Sequence, residues 1–165
     1  MDRTRSIELL NEALGDELQA INQYMFYHFH LDDQGLAPLA TLYKRTAIEE
    51  MLHAEMIAER ILFLKGEIHM VPNAPVANIT EPEKMLEDCV KGEEEAIEAY
   101  NRAAIECAAN ADSATKQVFE RLIADEERHL DQFDTQIDNI RRFGQNYLAL
   151  QSFESGAEGA PGGEG

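Results

Sequence analysis

Cysteine, proline and positive charge are all scarce in this 165-residue chain, and each scarcity excludes something. Two cysteines, Cys89 and Cys107, supply neither a disulfide framework nor a four-thiolate metal site. Lys and Arg together number 14 against 32 Asp and Glu, leaving a formal charge of −18. A polyanion lacks the positive face that nucleic acid or an anionic bilayer requires, and it attracts cations instead. No apolar run approaches the roughly 18 residues of a membrane span. The first six residues lead into an amphipathic stretch and not into an apolar signal region, so a soluble cytoplasmic protein is expected.

The five prolines, at 38, 72, 75, 82 and 161, leave long proline-free segments, a helical signature. From Ser6 to about Asp33, Ile7, Leu10, Leu14, Leu18, Ile21 and Met25 recur at helical spacing. After a break at Gln34–Pro38, a second helix is expected to run to about Lys65. Gly66 to Thr80, with Pro72 and Pro75, reads as an extended crossover. Thr80 and Glu83 form a capping-box pattern for a third helix ending near Ala109. After a tight turn at Asn110–Ser113, a fourth helix reaches Phe143, where Gly144 stops it. Gln145–Phe153 fits a short fifth helix, and the Gly- and Glu-rich 154–165 is expected to be a disordered tail. The expected domain is therefore 1–153. Two short turns and one long connection predict an all-α, antiparallel four-helix bundle with a single crossover between helices two and three.

The helices hide an internal repeat at an offset of 76 residues. Glu17, Ala20, Ile21 and Tyr24 map onto Glu93, Ala96, Ile97 and Tyr100. Tyr43, Arg45, Glu49, Glu50, His53 and Ile61 map onto Phe119, Arg121, Asp125, Glu126, His129 and Ile137. In each half a Glu-x-x-His pair begins 33 residues after the first Glu. Residues three apart share a helix face, so Glu50 and His53 point one way, as do Glu126 and His129. Ile21 and Tyr24 lie within about 40° of Glu17 on the helix wheel, which turns Glu17 toward the core, and the same holds for Glu93. The offset selects Glu93 over its neighbour Glu94.

Six ionisable groups then converge: Glu17, Glu50, His53, Glu93, Glu126 and His129. Four buried carboxylates are untenable as bare anions, whereas two divalent cations balance them. Two Glu plus two Glu-x-x-His pairs is a ligand set of di-iron and di-manganese carboxylate bundles, with metals about 3.5 to 4 Å apart. Oxygen and imidazole donors favour iron, then manganese. Glu50 and Glu126 are the expected bridges. Tyr24 and Tyr100 read as core aromatics, with a catalytic or electron-donor role for Tyr24 as the second reading. Met51 lies about 130° from the Glu50/His53 direction, an apolar residue on a face that should be wet. Phe26 and Phe29 repeat the anomaly on the first helix. The wheel alone reads Met51 as a subunit-interface residue. His28 is read as a packing or site-adjacent residue, His30 and His69 as surface, and both cysteines as buried free thiols.

The segments Glu17-Leu-Gln-Ala-Ile-Asn-Gln-Tyr24, Glu49-Glu-Met-Leu-His53-Ala, Glu59-Arg-Ile-Leu-Phe-Leu-Lys-Gly66, Asp125-Glu-Glu-Arg-His129 and Gln145-Asn-Tyr-Leu148 together resemble the bacterioferritins over residues 1 to about 153. The resemblance implies a ferritin-like bundle, ferroxidase activity with O₂ or H₂O₂, and ferric mineral stored in a shell of about 24 subunits built from two-fold dimers. It implies two iron ions per subunit at the six residues above. It makes Met51 an axial ligand of a haem-type porphyrin, one porphyrin per two subunits, with one Met from each. It further implies a small ferredoxin-type reductant for iron release. Some members carry a His five residues before the first Glu-x-x-His. Here Arg45 stands there, so the pattern for an inner-surface iron site is not matched. The rival readings are a rubrerythrin-like di-iron peroxidase, disfavoured by the lack of a Cys-x-x-Cys pair, and a haem-binding electron-transfer dimer.

Overall fold

The computed structural model describes residues 2–153. They form α1 (Arg3–Asp33), α2 (Ala37–Phe63), α3 (Pro82–Ala109), α4 (Ser113–Phe143) and α5 (Gln145–Phe153), with no strand among the described residues. The tail expected over 154–165 lies outside them. α1 begins earlier than expected because Asp2 caps it, accepting from the Thr4 N–H at 3.0 Å. The expected Thr80–Glu83 capping box does not form. Glu81 is the N-cap of α3 and makes no side-chain cap bond. Pro82 opens the helix without an N–H to satisfy, and the Thr80 carbonyl instead accepts from Gln34 Nε2 at 2.9 Å.

α1 packs chiefly on α2 and α3 on α4, giving two hairpins. Their turns repeat the 76-residue offset in backbone detail. Gly35 has φ 75° and its equivalent Ala111 φ 57°. Leu36 N donates to Leu31 O at 2.9 Å, and Asp112 N to Cys107 O at 2.9 Å. The pseudo-two-fold relation thus extends from side chains to turn geometry.

The crossover, residues 64–81, follows α1 in the same direction and is held by amide side chains. Asn11 bonds the Glu67 carbonyl and the His69 N–H, at 3.0 and 2.9 Å. Gln23 exchanges two bonds with Ala77, at 3.1 and 2.7 Å. Asn73 donates to the Glu12 carbonyl at 2.9 Å and to Asp16 Oδ1 at 2.6 Å, lying flat on Gly15. A Cβ on Gly15 would stand 2.1 Å from Asn73 Oδ1, so any larger residue would push the Asn73 side chain out of this position. α3 then returns antiparallel to α1, with Tyr27 on Asp88 near one end and Arg5 on Glu106 near the other.

The core divides in two along the bundle axis. One half gathers Leu10, Leu14, Ile57, Ile61, Cys107, Phe119 and Leu122. The other gathers Tyr27, Leu31, Leu39, Tyr43, Met85, Leu86, Cys89 and Phe133. Every long helix changes character midway between these halves, at Glu17, at Glu50 and His53, at Glu93, and at Glu126 and His129. The six polar residues form one buried belt between two apolar plugs.

Candidate metal centre

Each of the six is buried, none more than 5% exposed. Glu94, the neighbour of Glu93, is exposed. Two overlapping groups of donor atoms lie within 4.8 Å of one another: Glu17, Glu50, His53 and Glu126, and Glu50, Glu93, Glu126 and His129. Glu50 and Glu126 belong to both. His53 Nδ1 lies 2.8 Å from Glu50 Oε2, 3.3 Å from Glu126 Oε1 and 3.4 Å from Glu17 Oε2. His129 Nδ1 lies 2.9 Å from Glu126 Oε2, 3.1 Å from Glu50 Oε1 and 3.9 Å from Glu93 Oε1. The two imidazoles face each other at 5.8 Å between centroids. Both therefore turn Nδ1 inward.

The tyrosines cross between the hairpins. Tyr24 donates to Glu93 Oε1 and Tyr100 to Glu17 Oε1, each at 2.5 Å. Each of these terminal carboxylates is thus oriented by the other repeat's tyrosine. Tyr24 continues into an aromatic cluster, with Phe133 at 5.5 Å and Tyr43 at 6.1 Å.

The electrostatics follow from burial and like charge. Burial first, then the negative field of Glu50, pushes Glu17 and Glu93 well above the ordinary carboxylate range. Burial opposes ionisation of Glu126 as well, yet hydrogen bonds from His129 and His53 prevail and hold it at about 2. Burial opposes the His129 cation, but hydrogen bonds to Glu126 and Glu50 push its pKa to about 11. His53 is raised in the same sense, burial being outweighed by Glu126, Glu17 and Glu50. The donor set, four carboxylates and two imidazoles with no sulfur, suits a pair of divalent transition ions.

Outside these donors lies a second ring that sequence reasoning left without a role. Asp125 Oδ2 meets His53 Nε2 at 3.2 Å, and Glu49 Oε2 meets His129 Nε2 at 2.8 Å. The repeat pairs Glu49 with Asp125, which was the one signal available. On the opposite side, a cavity of about 460 Å³ between α1, α3 and the crossover reaches Glu17, Glu50, Glu93 and Glu126.

Met51 projects from α2 and is 53% exposed, beside exposed Ile48 and Leu52. On α1 Phe29 is exposed, whereas Phe26 is not the outward residue expected. It is half-buried, packed at a tilt against the His30 ring at 4.4 Å and edge-on to Tyr27 at 6.0 Å, because these two rings cover it. His28 packs through Nδ1 against the Ala40 carbonyl at 2.8 Å. His30 is half-buried, whereas the expectation was surface, and His69 is exposed. Cys89 and Cys107 are buried and free. Arg45 is exposed.

Comparison with known proteins gives a consistent picture. The family model for the ferritin-like domain matches residues 7–143. The bacterioferritin of Rhodobacter capsulatus is 43% identical over 145 residues, covering 87% of this chain and 89% of that one. The bacterioferritin of Brucella melitensis is 37% identical over 139 residues, covering 84% and 86%. The 2.6 Å structure of Rhodobacter capsulatus bacterioferritin, with a metal-free dinuclear site and haem iron in a crystallographic special position, superimposes with a TM-score of 0.87 at 38% identity, covering 100% of this chain and 99% of that one.

Proposed function

The chain belongs to the bacterioferritins, and on that premise we propose that it oxidises Fe(II) inside each subunit bundle and stores the product as ferric mineral in a hollow shell. The observation that carries this reading is the sharing of Glu50 and Glu126 by both four-residue donor groups. Two metal positions joined by two bridging carboxylates accept two Fe(II) ions as substrate. In this reading Glu17 with His53, and Glu93 with His129, complete the two positions. Two electrons from a pair reduce O₂ with two protons to H₂O₂, or H₂O₂ with two protons to water. Tyr24 and Tyr100 hold the terminal carboxylates, and Tyr24 leads on into a second tyrosine, Tyr43, where Tyr100 meets Phe119. The electron-donor role therefore falls to Tyr24. The cavity beside Glu17 and Glu93 supports access from the side of α1 and α3.

For the haem, a neutral thioether on an exposed apolar strip fits a porphyrin held between two subunits. Met51 from each subunit would hold it, and it would supply an electron-transfer centre near the subunit interface. α5 supports the shell: Tyr147 and Leu148 pack on the core while Leu150 remains 61% exposed for a neighbouring subunit. A ferredoxin-type reductant and a cytoplasmic location belong to the same reading. No helix among the described residues is long and apolar enough to cross a membrane. Assembly is checked by mass, about 450 kDa for the shell against about 37 kDa for a dimer.

The decisive experiment is anaerobic addition of Fe(II) followed by air, with absorbance recorded from milliseconds. The native protein should show a fast phase of about two Fe(II) per chain. His53→Ala and His129→Ala should lose that phase while keeping the assembled mass. A fast phase surviving in both variants would remove His53 and His129 from the reaction and with them this reading of the site.

A further inference from the structure

The 76-residue repeat duplicates every donor of the centre and its outer carboxylates, but not the cation beside them. Arg128 corresponds to Leu52, so one half has a guanidinium where the other has an exposed apolar residue. Arg128 Nη2 lies 2.8 Å from Glu49 Oε2 and 3.0 Å from Asp125 Oδ1. These are the two carboxylates that hold His129 Nε2 and His53 Nε2. A single guanidinium therefore closes the chain His53–Asp125–Arg128–Glu49–His129. We propose that Arg128 is a positioning residue for the metal centre, fixing both outer carboxylates and through them the inward Nδ1 of both histidines.

The reasoning is geometric. A carboxylate that accepts from the outer nitrogen of a ligand histidine sets the ring's orientation and leaves the inner nitrogen free to bind metal. Asp125 and Glu49 come from different helices, α4 and α2, and both are half-buried. Left alone, two like charges drawn together on one side of the bundle would repel and turn to solvent. One cation on α4, bonded to both, holds them in register. Pairs as exposed as these contribute little to stability, since the Arg128 side chain is 44% exposed. Its consequence should appear in metal binding and not in the fold. Because both subsites hang on one side chain, its loss should weaken both together, whereas loss of either carboxylate should weaken one.

This inference rests on the di-metal reading above, and the experiment separates the two. Co²⁺ is titrated into the metal-free assembled protein, followed by visible ligand-field absorption and calorimetry. The native protein should take up two Co²⁺ per chain. Arg128→Gln should weaken both binding steps by about 10-fold or more, as loss of an outer partner does, with the melting temperature of the metal-free protein unchanged. Arg128→Lys keeps the charge but is shorter, so its ammonium does not reach the place where Nη2 meets both carboxylates, and it should not restore native affinity. Glu49→Ala and Asp125→Ala should each weaken one step. Native affinity at both steps in Arg128→Gln, or a lowered melting temperature with unchanged affinities, overturns the proposal. So does full recovery in Arg128→Lys, which would make charge alone sufficient. If the native protein binds no pair of Co²⁺, the di-metal reading fails and the proposal falls with it.

Discussion

Loading the metal-free protein with a divalent cation should expel protons, and the centre sets how many. His129 is held protonated up to about pH 11 because, against its burial, Glu126 and Glu50 accept hydrogen bonds from it. His53 is shifted the same way. At pH 7 both rings are therefore cationic without metal, yet a ring nitrogen binds metal only when deprotonated. Two protons must leave the histidines. Burial and the field of Glu50 raise Glu17 and Glu93 as well, which acts in the same direction. At least about two protons should be released per metal pair. The sign is fixed: these protons belong to the metal-free form, so affinity rises with pH. Each displaced proton is worth a factor of ten per pH unit, so the binding constant for the pair should rise at least about 100-fold between pH 6 and pH 7. Calorimetric titration with Zn²⁺ in two buffers of different ionisation enthalpy measures the release directly. His129→Ala should reduce it by about one. Release of less than one proton per pair, or affinity flat across that interval, would refute the charge arrangement described here.

Asp112 should be a keystone of stability. It accepts from Ser6 Oγ, Thr115 Oγ1 and Arg60 Nη2 at 2.7 to 2.8 Å, and from the Thr115 N–H at 3.2 Å. Asp112→Ala strands four donors on three buried or half-buried residues and should cost about 3 kcal/mol, a fall of roughly 6 to 12 °C in melting temperature. Burial raises the Asp112 pKa, but its donors prevail and lower it. Its stabilisation is thus present above the ordinary Asp pKa and is lost as pH falls through the depressed value. Thermal melts of Asp112→Ala and the native protein should converge in acid, and a constant gap would contradict the assignment. Gly15→Ala displaces the Asn73 side chain and should cost about 1 to 2 kcal/mol, with faster proteolysis confined to the crossover. A melting temperature at or above native would show that the clamp carries no load. Met51→Leu should abolish a Soret band of about one haem per two chains while leaving rapid Fe(II) oxidation intact. Haem retained in that variant would exclude Met51 as its ligand.

Periodicity and the placement of proline and glycine made the four long helices and the crossover legible, because they state which face of each helix is apolar and where the helix must stop. The repeat did more than periodicity. By pairing Glu17 with Glu93, and Glu50–His53 with Glu126–His129, it brought two hairpins to a common centre without any knowledge of distance. It also selected Glu93 over Glu94, of which only Glu93 is buried. What depends on separations between helices was not legible. The crossed tyrosine bonds, the Gly15–Asn73 approach and the failed Thr80 cap belong to that class. So does the role of Arg128, which looks like any exposed cation on α4 until Glu49 arrives from α2 at 2.8 Å. A sequence pattern encodes the direction in which a side chain points along its own helix. The partner it meets is set only when the other helices have packed.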